Sequence, residues 1–392
     1  MTQPPRAADS PDAHASGEES FEASTLADRL RARIRREGAL TFCEWMRAAL
    51  YDEREGYYRR RDRARWGREG DYRTSPERSR LFAATFARHF VALYEELGRP
   101  RRLCIVEAGG GGGHFARGVL ETLERDAPHV FFNLQYVFED VSADSRSRAG
   151  ELLASFRGRV EFKSPGELDA INAPLDSGII FSNELLDALP VHRVIVKGGK
   201  LLELCVGLSN SSAFVWEERE ASTPRLAEHF KSAGIILAEG QCAEVNLEAE
   251  DWIARAAAKV SQGYVITVDY GDEAADLYNA RHRPEGTLRA FRGHAFARDI
   301  LDSPGEQDLT TTVNWTQLRK AGERHGLATL SLERQDRFLL RAGLLEQLEH
   351  ESTAAGRESE VARLRLDARE MILPNGMSEH FQVLVQKKVG AI

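Results

Sequence analysis

The apolar residues of this chain repeat with two periods, one helical and one strand-like. Leu26, Leu30 and Ile34 recur at helical spacing, and Gly38 is placed to stop that helix. Thr41-Phe-Cys-Glu44 is a capping-box pattern opening a second helix, FCEWMRAAL. SRLFAATFARHFVALYEEL predicts a third, leading into the short apolar run LCIV that ends in Glu107. Five glycines follow, Gly109 to Gly113, and then the helical pattern FARGVLETLER. Strands are predicted at Leu134–Phe138 and Gly178–Phe181, with a helix capped by Ser142 between them. From Val191 the pattern changes: HRVIVK and KLLELCVGL flank Gly198-Gly199, a hairpin signal, followed by the strand-like SAFVWEERE and the short helix AEHFKSA. Helical period returns in EVNLEAEDWIARAAAKV, then a strand at Gly263–Val268, three helices (TQLRKAGERHG, RAGLLEQLEHE, ESEVARLRLDAREMIL) and a closing strand at His380–Gln386.

Strands alternating with helices, with acids at the strand ends, predict an α/β fold: a doubly wound, mostly parallel sheet with an added β-hairpin/helical subdomain. The expected organisation is a disordered tail over 1–24, an N-terminal helical cap and lid over 25–100, the first half of the core over 101–190, an inserted β-rich subdomain over 191–240, and the second half of the core with helical insertions over 241–392. The tail is polar, acidic and rich in Pro and Ser, without the apolar core of a signal peptide or the Arg-rich character of a transit peptide. Residues 283–315 show little periodicity, as a lid or binding segment would. His294 within them is a candidate acid/base or surface decoration.

At 392 residues the chain can form one large domain or two. A net charge of −8, from 53 basic and 61 acidic side chains, argues against a protein that coats nucleic acid. One local stretch runs the other way. Arg59, Arg60, Arg61, Arg63, Arg65 and Arg68 could grip a phosphate backbone while Tyr57, Tyr58 and Trp66 stack on bases, or the stretch is a solvated loop laced by Asp62, Glu69 and Asp71. RNA is therefore a weak candidate partner. Cys43, Cys104, Cys205 and Cys242 are far apart with no ligand spacing, which predicts a reducing, cytoplasmic compartment and no metal site. No run approaches the length of a membrane span, so no membrane partner is expected. A homodimer stays open.

Two stretches carry chemistry. The glycine loop between a strand and a helix is where a nucleotide-like ligand meets bare backbone. A nicotinamide cofactor would use Gly111, Gly113 and Ala116; S-adenosylmethionine would use Glu107, Gly109, Gly111 and Gly113. Glu107 would repel a pyrophosphate and suits a cationic sulfonium, which favours the methyl donor. Asp140, after the second strand, stands where a ribose would be held, or is an acid in a surface turn. The second stretch is Ser-Asn-Glu-Leu-Leu-Asp, in which a helical turn would place Glu184 and Asp187 on one face, with Asn183 as a cap or a site residue.

The chain resembles the MidA family (DUF185) of S-adenosylmethionine-dependent methyltransferases, whose mitochondrial members are complex I assembly factors. The resemblance runs from about Leu40 to Lys388, on TFCEWMRAALYDEREGYY, GDYRTSPE, VEAGGGGG, FSNELLDALPVHR, EVN, VDYG, GTLRAF, PGEQDLT and MSEHFQVLVQKK. It implies a class I (Rossmann-like) methyltransferase fold, S-adenosyl-L-methionine as cofactor and a protein arginine side chain as substrate. Glu107, Gly109, Gly111, Gly113 and Asp140 would then bind the donor, with Thr74 and Glu77 at its cleft. Asn183, Glu184 and Asp187 would face the transferred methyl. The chain departs from the family pattern in its all-glycine loop, in Asp140 where Glu is usual, in Arg78 of PERS and in Ser378. Alternative expectations are a methyltransferase on RNA or a small molecule, a non-catalytic donor-binding assembly factor, and an NAD-dependent oxidoreductase.

Overall fold

A computed structural model describes residues 24–60, 79–171, 173–292, 295–373 and 380–389. Its main sheet holds seven long strands, numbered here in chain order: β1 (Leu103–Ala108), β2 (Leu134–Glu139), β3 (Val160–Lys163), β4 (Gly178–Asn183), β5 (Gly263–Asp272), β6 (Leu327–Arg334) and β7 (Phe381–Lys388). Their spatial order is β6-β7-β5-β4-β1-β2-β3, and the short strand Val313–Asn314 runs parallel beside the end of β5. Pairing is parallel from β3 through β5 and antiparallel only where β7 lies between β5 and β6. This is the doubly wound, mostly parallel α/β sheet read from the sequence.

The central strands are buried on both faces, which is why they read as continuous apolar runs. Leu103 and Ile105 of β1 pack on one face, with Phe115, Phe181 and the helices Arg80–Glu96 and His114–Asp126. Cys104 and Val106 face the other way, toward Ile253 and Leu318 on the helices Leu247–Lys259 and Trp315–Arg324. Phe115 and Phe181 stack at 4.3 Å between ring centroids, joining the helix after the glycines to β4. The capping box at Thr41 and the Ser142 cap form as the sequence indicates.

A second, antiparallel sheet contains Leu40–Thr41, Lys200–Leu208, His192–Lys197 and Cys242–Val245 in that order, with Phe214–Glu220 also on Lys200–Leu208. Gly198 and Gly199 have φ of 57° and 71°, the turn that a two-residue hairpin needs. The sheet takes in two strands from outside the expected insertion. Cys242–Val245 completes the sheet beyond residue 240, and Leu40–Thr41 joins it from the N-terminal cap. Three other elements differ from expectation. β3 and β6 are edge strands whose part-exposed residues weaken the apolar signal, and β6 is broken by a bulge between Thr329 and Ser331. The segment 283–315, expected as a lid or binding segment with little periodicity, holds a three-stranded sheet: Arg289–Arg292, Ala295–Phe296 and Asp308–Thr310.

Candidate functional site

The strand order reverses between β1 and β4, and ligand crevices of open α/β sheets form at such a point, beyond the carboxyl ends of the strands. The glycine loop and the residues after Phe181 both lie there, together with the ends of β2 and β5.

Gly109, Gly111 and Gly113 have φ of 72°, 57° and 78°, values that other residues adopt only with strain. A Cβ on Gly110 would run into the Phe138 ring, so the loop lies flat against β2. The Gly109 and Gly110 N–H groups donate to the Glu139 carbonyl at 2.9 and 3.0 Å. Asp140 fixes the loop with both carboxylate oxygens: Oδ2 accepts from Gly111 N at 2.9 Å and Oδ1 from Ser142 N at 2.7 Å. Glu107 is buried beneath the loop and accepts from the Tyr136 hydroxyl at 2.8 Å. Burial outweighs that bond and, with the Asp140 charge nearby, pushes the carboxyl up to about 8. Burial and Asp140 likewise raise Glu139 to about 8.

Beyond β4 the chain makes a turn, and the helical turn expected for Glu184 and Asp187 does not form. The reason is local: Glu184 has φ of 52°, in the left-handed region, with its N–H donating to Val268 O at 2.9 Å. Asn183 does not cap; its Nδ2 donates to Glu184 Oε1 at 3.1 Å. Asp187 is held by a group outside the residues singled out from the sequence. Asp269, fully buried at the end of β5, accepts from Leu186 N at 3.0 Å and Asp187 N at 3.3 Å through Oδ2, and from Tyr270 N at 2.9 Å through Oδ1. The Tyr270 hydroxyl donates to Asp187 Oδ2 at 2.5 Å. Asp187 Oδ1 and Asn183 Oδ1 are buried with no hydrogen-bond partner among the described residues.

Burial raises Asp187 to about 7, with Asp308 adding to the shift while Tyr270 and Arg289 oppose it. Burial and the Asp187 and Glu184 charges hold Asp269 well above the usual carboxylate range. The Arg289 guanidinium lies 4.8 Å from the Tyr270 ring centroid. The only signal for Asp269 and Tyr270 was an acid and an aromatic at a strand's carboxyl end. Arg289 and Asp308 lie in the segment that carried no periodicity.

Tyr57 and Tyr58 are not stacking platforms for bases. Tyr57 is buried in an apolar cluster, and the Tyr58 hydroxyl donates to Asp308 Oδ1 at 2.6 Å. Tyr51, stacked on Tyr58, donates to Ala188 O at 3.0 Å, which ties the N-terminal helix Phe42–Tyr51 to the turn carrying Asp187. Thr74, Glu77, Trp66, His294 and the arginines from Arg61 to Arg68 lie outside the described residues.

Residues 85–332 match the profile of a family of S-adenosyl-L-methionine-dependent methyltransferases, more than half of the chain. The chain belongs to that family. It is 28% identical over 349 residues to the protein arginine methyltransferase NDUFAF7 homolog, mitochondrial, of Drosophila melanogaster, covering 83% of this chain and 75% of that one. The Homo sapiens protein arginine methyltransferase NDUFAF7, mitochondrial, is 24% identical, covering 90% and 81%. Among solved structures, a COG1565 superfamily member from Burkholderia thailandensis bound to S-adenosyl-homocysteine superposes with a TM-score of 0.79 at 28% identity, over 96% of each chain.

The chain is thus a class I S-adenosylmethionine-dependent methyltransferase of MidA type, and the nicotinamide alternative is set aside. The residues fit a cationic donor: a cradle without Cβ atoms, and buried acids whose ionisation a positive charge would favour. The cytoplasmic expectation is corrected, because the curated relatives carry mitochondrial names. Among the described residues no helix is long and apolar enough to cross a membrane.

Proposed function

We propose that this methyltransferase acts on an arginine side chain of a protein. The observation that carries the reading is the Asp187 carboxyl, buried in the crevice with Oδ1 unpartnered. A guanidinium meets that need, since it offers a planar fork of donors to carboxylates and is less strongly hydrated than an ammonium. The names of the curated relatives point the same way.

In this reading Glu107, Gly109, Gly111, Gly113 and Asp140 hold the donor, with Thr74 and Glu77 beside it, and Asn183, Glu184 and Asp187 face the transferred methyl. The donor supplies an electrophilic methyl group to a nucleophile held in line with it. The protein's part is orientation and proton management, with no covalent intermediate of its own. Glu184 and Asp187 hold the guanidinium so that one nitrogen faces the methyl. That nitrogen must shed a proton as the new bond forms, and Asp187 Oδ1 receives it. Tyr270 and Asp269 keep Asp187 in place.

Transfer of labelled methyl into lysate proteins, followed by acid hydrolysis, tests the reading. Label recovered as methylarginine, resistant to nuclease and lost with Glu184→Gln while donor binding persists, is the expected result. Nuclease-sensitive label would make the substrate RNA, and label in small molecules would move it there. S-adenosylhomocysteine binding without any transfer would make the chain a non-catalytic assembly factor.

A further inference from the structure

The segment 283–315 brings an arginine of its own to the methyl-transfer crevice. Arg289 opens the strand Arg289–Arg292, which pairs with Asp308–Thr310. Its neighbour Ala290 is buried in the apolar cluster that holds Leu50 and Tyr57, so the Arg289 side chain leaves the strand on the other face, toward β5. There the guanidinium lies over Tyr270, 4.8 Å from the ring centroid, while Phe381 of β7 packs edge-on against the same ring at 5.6 Å. Held between the two, Tyr270 donates its hydroxyl to Asp187 Oδ2. Arg289 Nη2 donates to Thr312 Oγ1 at 3.4 Å, and the adjacent Thr311 N donates to Asp187 O at 2.9 Å, so one short stretch of chain anchors both the cation and the acid.

The charge of Arg289 is not neutralised by a neighbour. Among the described residues it forms no ion pair, and its buried Nε has no hydrogen-bond partner. Around Asp187 stand Glu184 from its own turn, Asp269 and Tyr270 from β5, Asp308 from the strand beside Arg289, and Tyr51 from the N-terminal helix. Three of these are carboxyls and two are phenols. Burial and Asp308 work against a negative charge on Asp187; the Tyr270 bond and the Arg289 guanidinium oppose them. Removing Arg289 would leave a crowd of acids with no cation of the fold set against them at this point.

We propose that Arg289 is a positioning residue for methyl transfer: it fixes Tyr270 on Asp187 Oδ2 and supplies the positive charge that lets the buried carboxylate form with Oδ1 free. It acts through Tyr270 and Asp187 and takes no proton itself, since a guanidinium stays charged at any working pH. Tyr270 occupies Oδ2, which leaves Oδ1 for the methyl acceptor. The role rests on the reading of Asp187 as the group that receives the proton of the methylated nitrogen, and deepens it.

Two readouts separate this role from a merely structural one. In the full chain labelled with carbon-13 at the aspartate carboxyls, Asp187 is identified by the signal lost in Asp187→Asn, and its titration by nuclear magnetic resonance needs no methyl acceptor. Arg289→Gln should raise its midpoint by about one pH unit or more, whereas Arg289→Lys, which keeps the charge but not the planar stack, should raise it by less than about half as much. Arg289→Met takes the place of Arg289→Gln if that variant does not fold. Methyl transfer should follow the carboxyl: with a shift of about one unit, kcat/KM of the neutral variant falls about fivefold at pH 7 and less than about twofold at pH 9. A midpoint that stays put in the neutral variant, or that moves as far with Lys as with Gln or Met, overturns the proposal and leaves the arginine-methyltransferase reading standing. A midpoint that moves while the transfer profile does not removes Asp187 as the proton acceptor, and the role of Arg289 with it.

Discussion

Asp187→Asn separates the cost of the crevice from its use. The substitution keeps the side-chain shape and an acceptor for the Tyr270 hydroxyl but cannot ionise. In the parent, Asp187 stands at about 7 against an ordinary 3.8, because the folded chain buries it. Between those values the folded state keeps a proton that the unfolded state has released. The folded chain is therefore stabilised by this group below pH 3.8, and loses that stability as the pH rises to 7. The slope is about 1.4 kcal/mol per pH unit, a total of about 4 kcal/mol before relaxation of the site. Asp187→Asn removes the loss, so urea unfolding should find the variant more stable than the parent at pH 8, with the difference vanishing toward pH 4. Transfer should move the opposite way. The parent's kcat/KM should rise about tenfold between pH 6 and 8 as Asp187 ionises, and the variant should fall by at least about a hundredfold with a flat profile. A variant that is less stable at pH 8, or that transfers methyl at the parental rate, refutes the assignment of Asp187 as the buried proton acceptor.

Three further outcomes follow from the same crevice. Glu107→Gln keeps a partner for Tyr136 but no ionisable group, so it should weaken donor binding by about tenfold or more. Calorimetry in two buffers at pH 7 should detect up to about one proton released when the parent binds donor, from a carboxyl standing at about 8, and none in the variant. Gly110→Ala places a methyl against the Phe138 ring and should cost about 1–3 kcal/mol in unfolding experiments while weakening S-adenosylhomocysteine binding. Glu184→Gly relieves a left-handed backbone and should stabilise the fold by about 1 kcal/mol, yet abolish transfer; an active Gly variant would remove Glu184 from the site.

Local signals carried the core. The glycine loop was legible because φ above zero and close approach to β2 admit little else. β1 and β4 were legible because burial on both faces makes them continuously apolar. The helix expected at Glu184 failed because spacing records which residues could share a face, whereas Asp269, more than eighty positions away, gathers the Leu186 and Asp187 amides into a turn. Edge strands and the sheet within 289–310 were missed because their residues are only partly buried or their runs are too short to show a period. Tyr58, offered by the sequence as either a base-stacking ring or part of a solvated loop, instead bonds to Asp308, a partner 250 residues distant that no local pattern announces.

The place of β7 has a consequence for how this chain is made. It is the last of the sheet's strands to leave the ribosome, yet it lies inside the sheet, between β5 and β6. Until it arrives, β5 presents an open edge and β6 has no long neighbour. Leu40–Thr41, synthesised early, waits in turn for Lys200–Leu208. Pairings of such long sequence separation fold slowly and leave apolar edges uncovered. The nascent chain must therefore remain shielded from aggregation until synthesis has passed residue 388, and a truncation that removes Phe381–Lys388 should yield insoluble protein rather than a weaker enzyme.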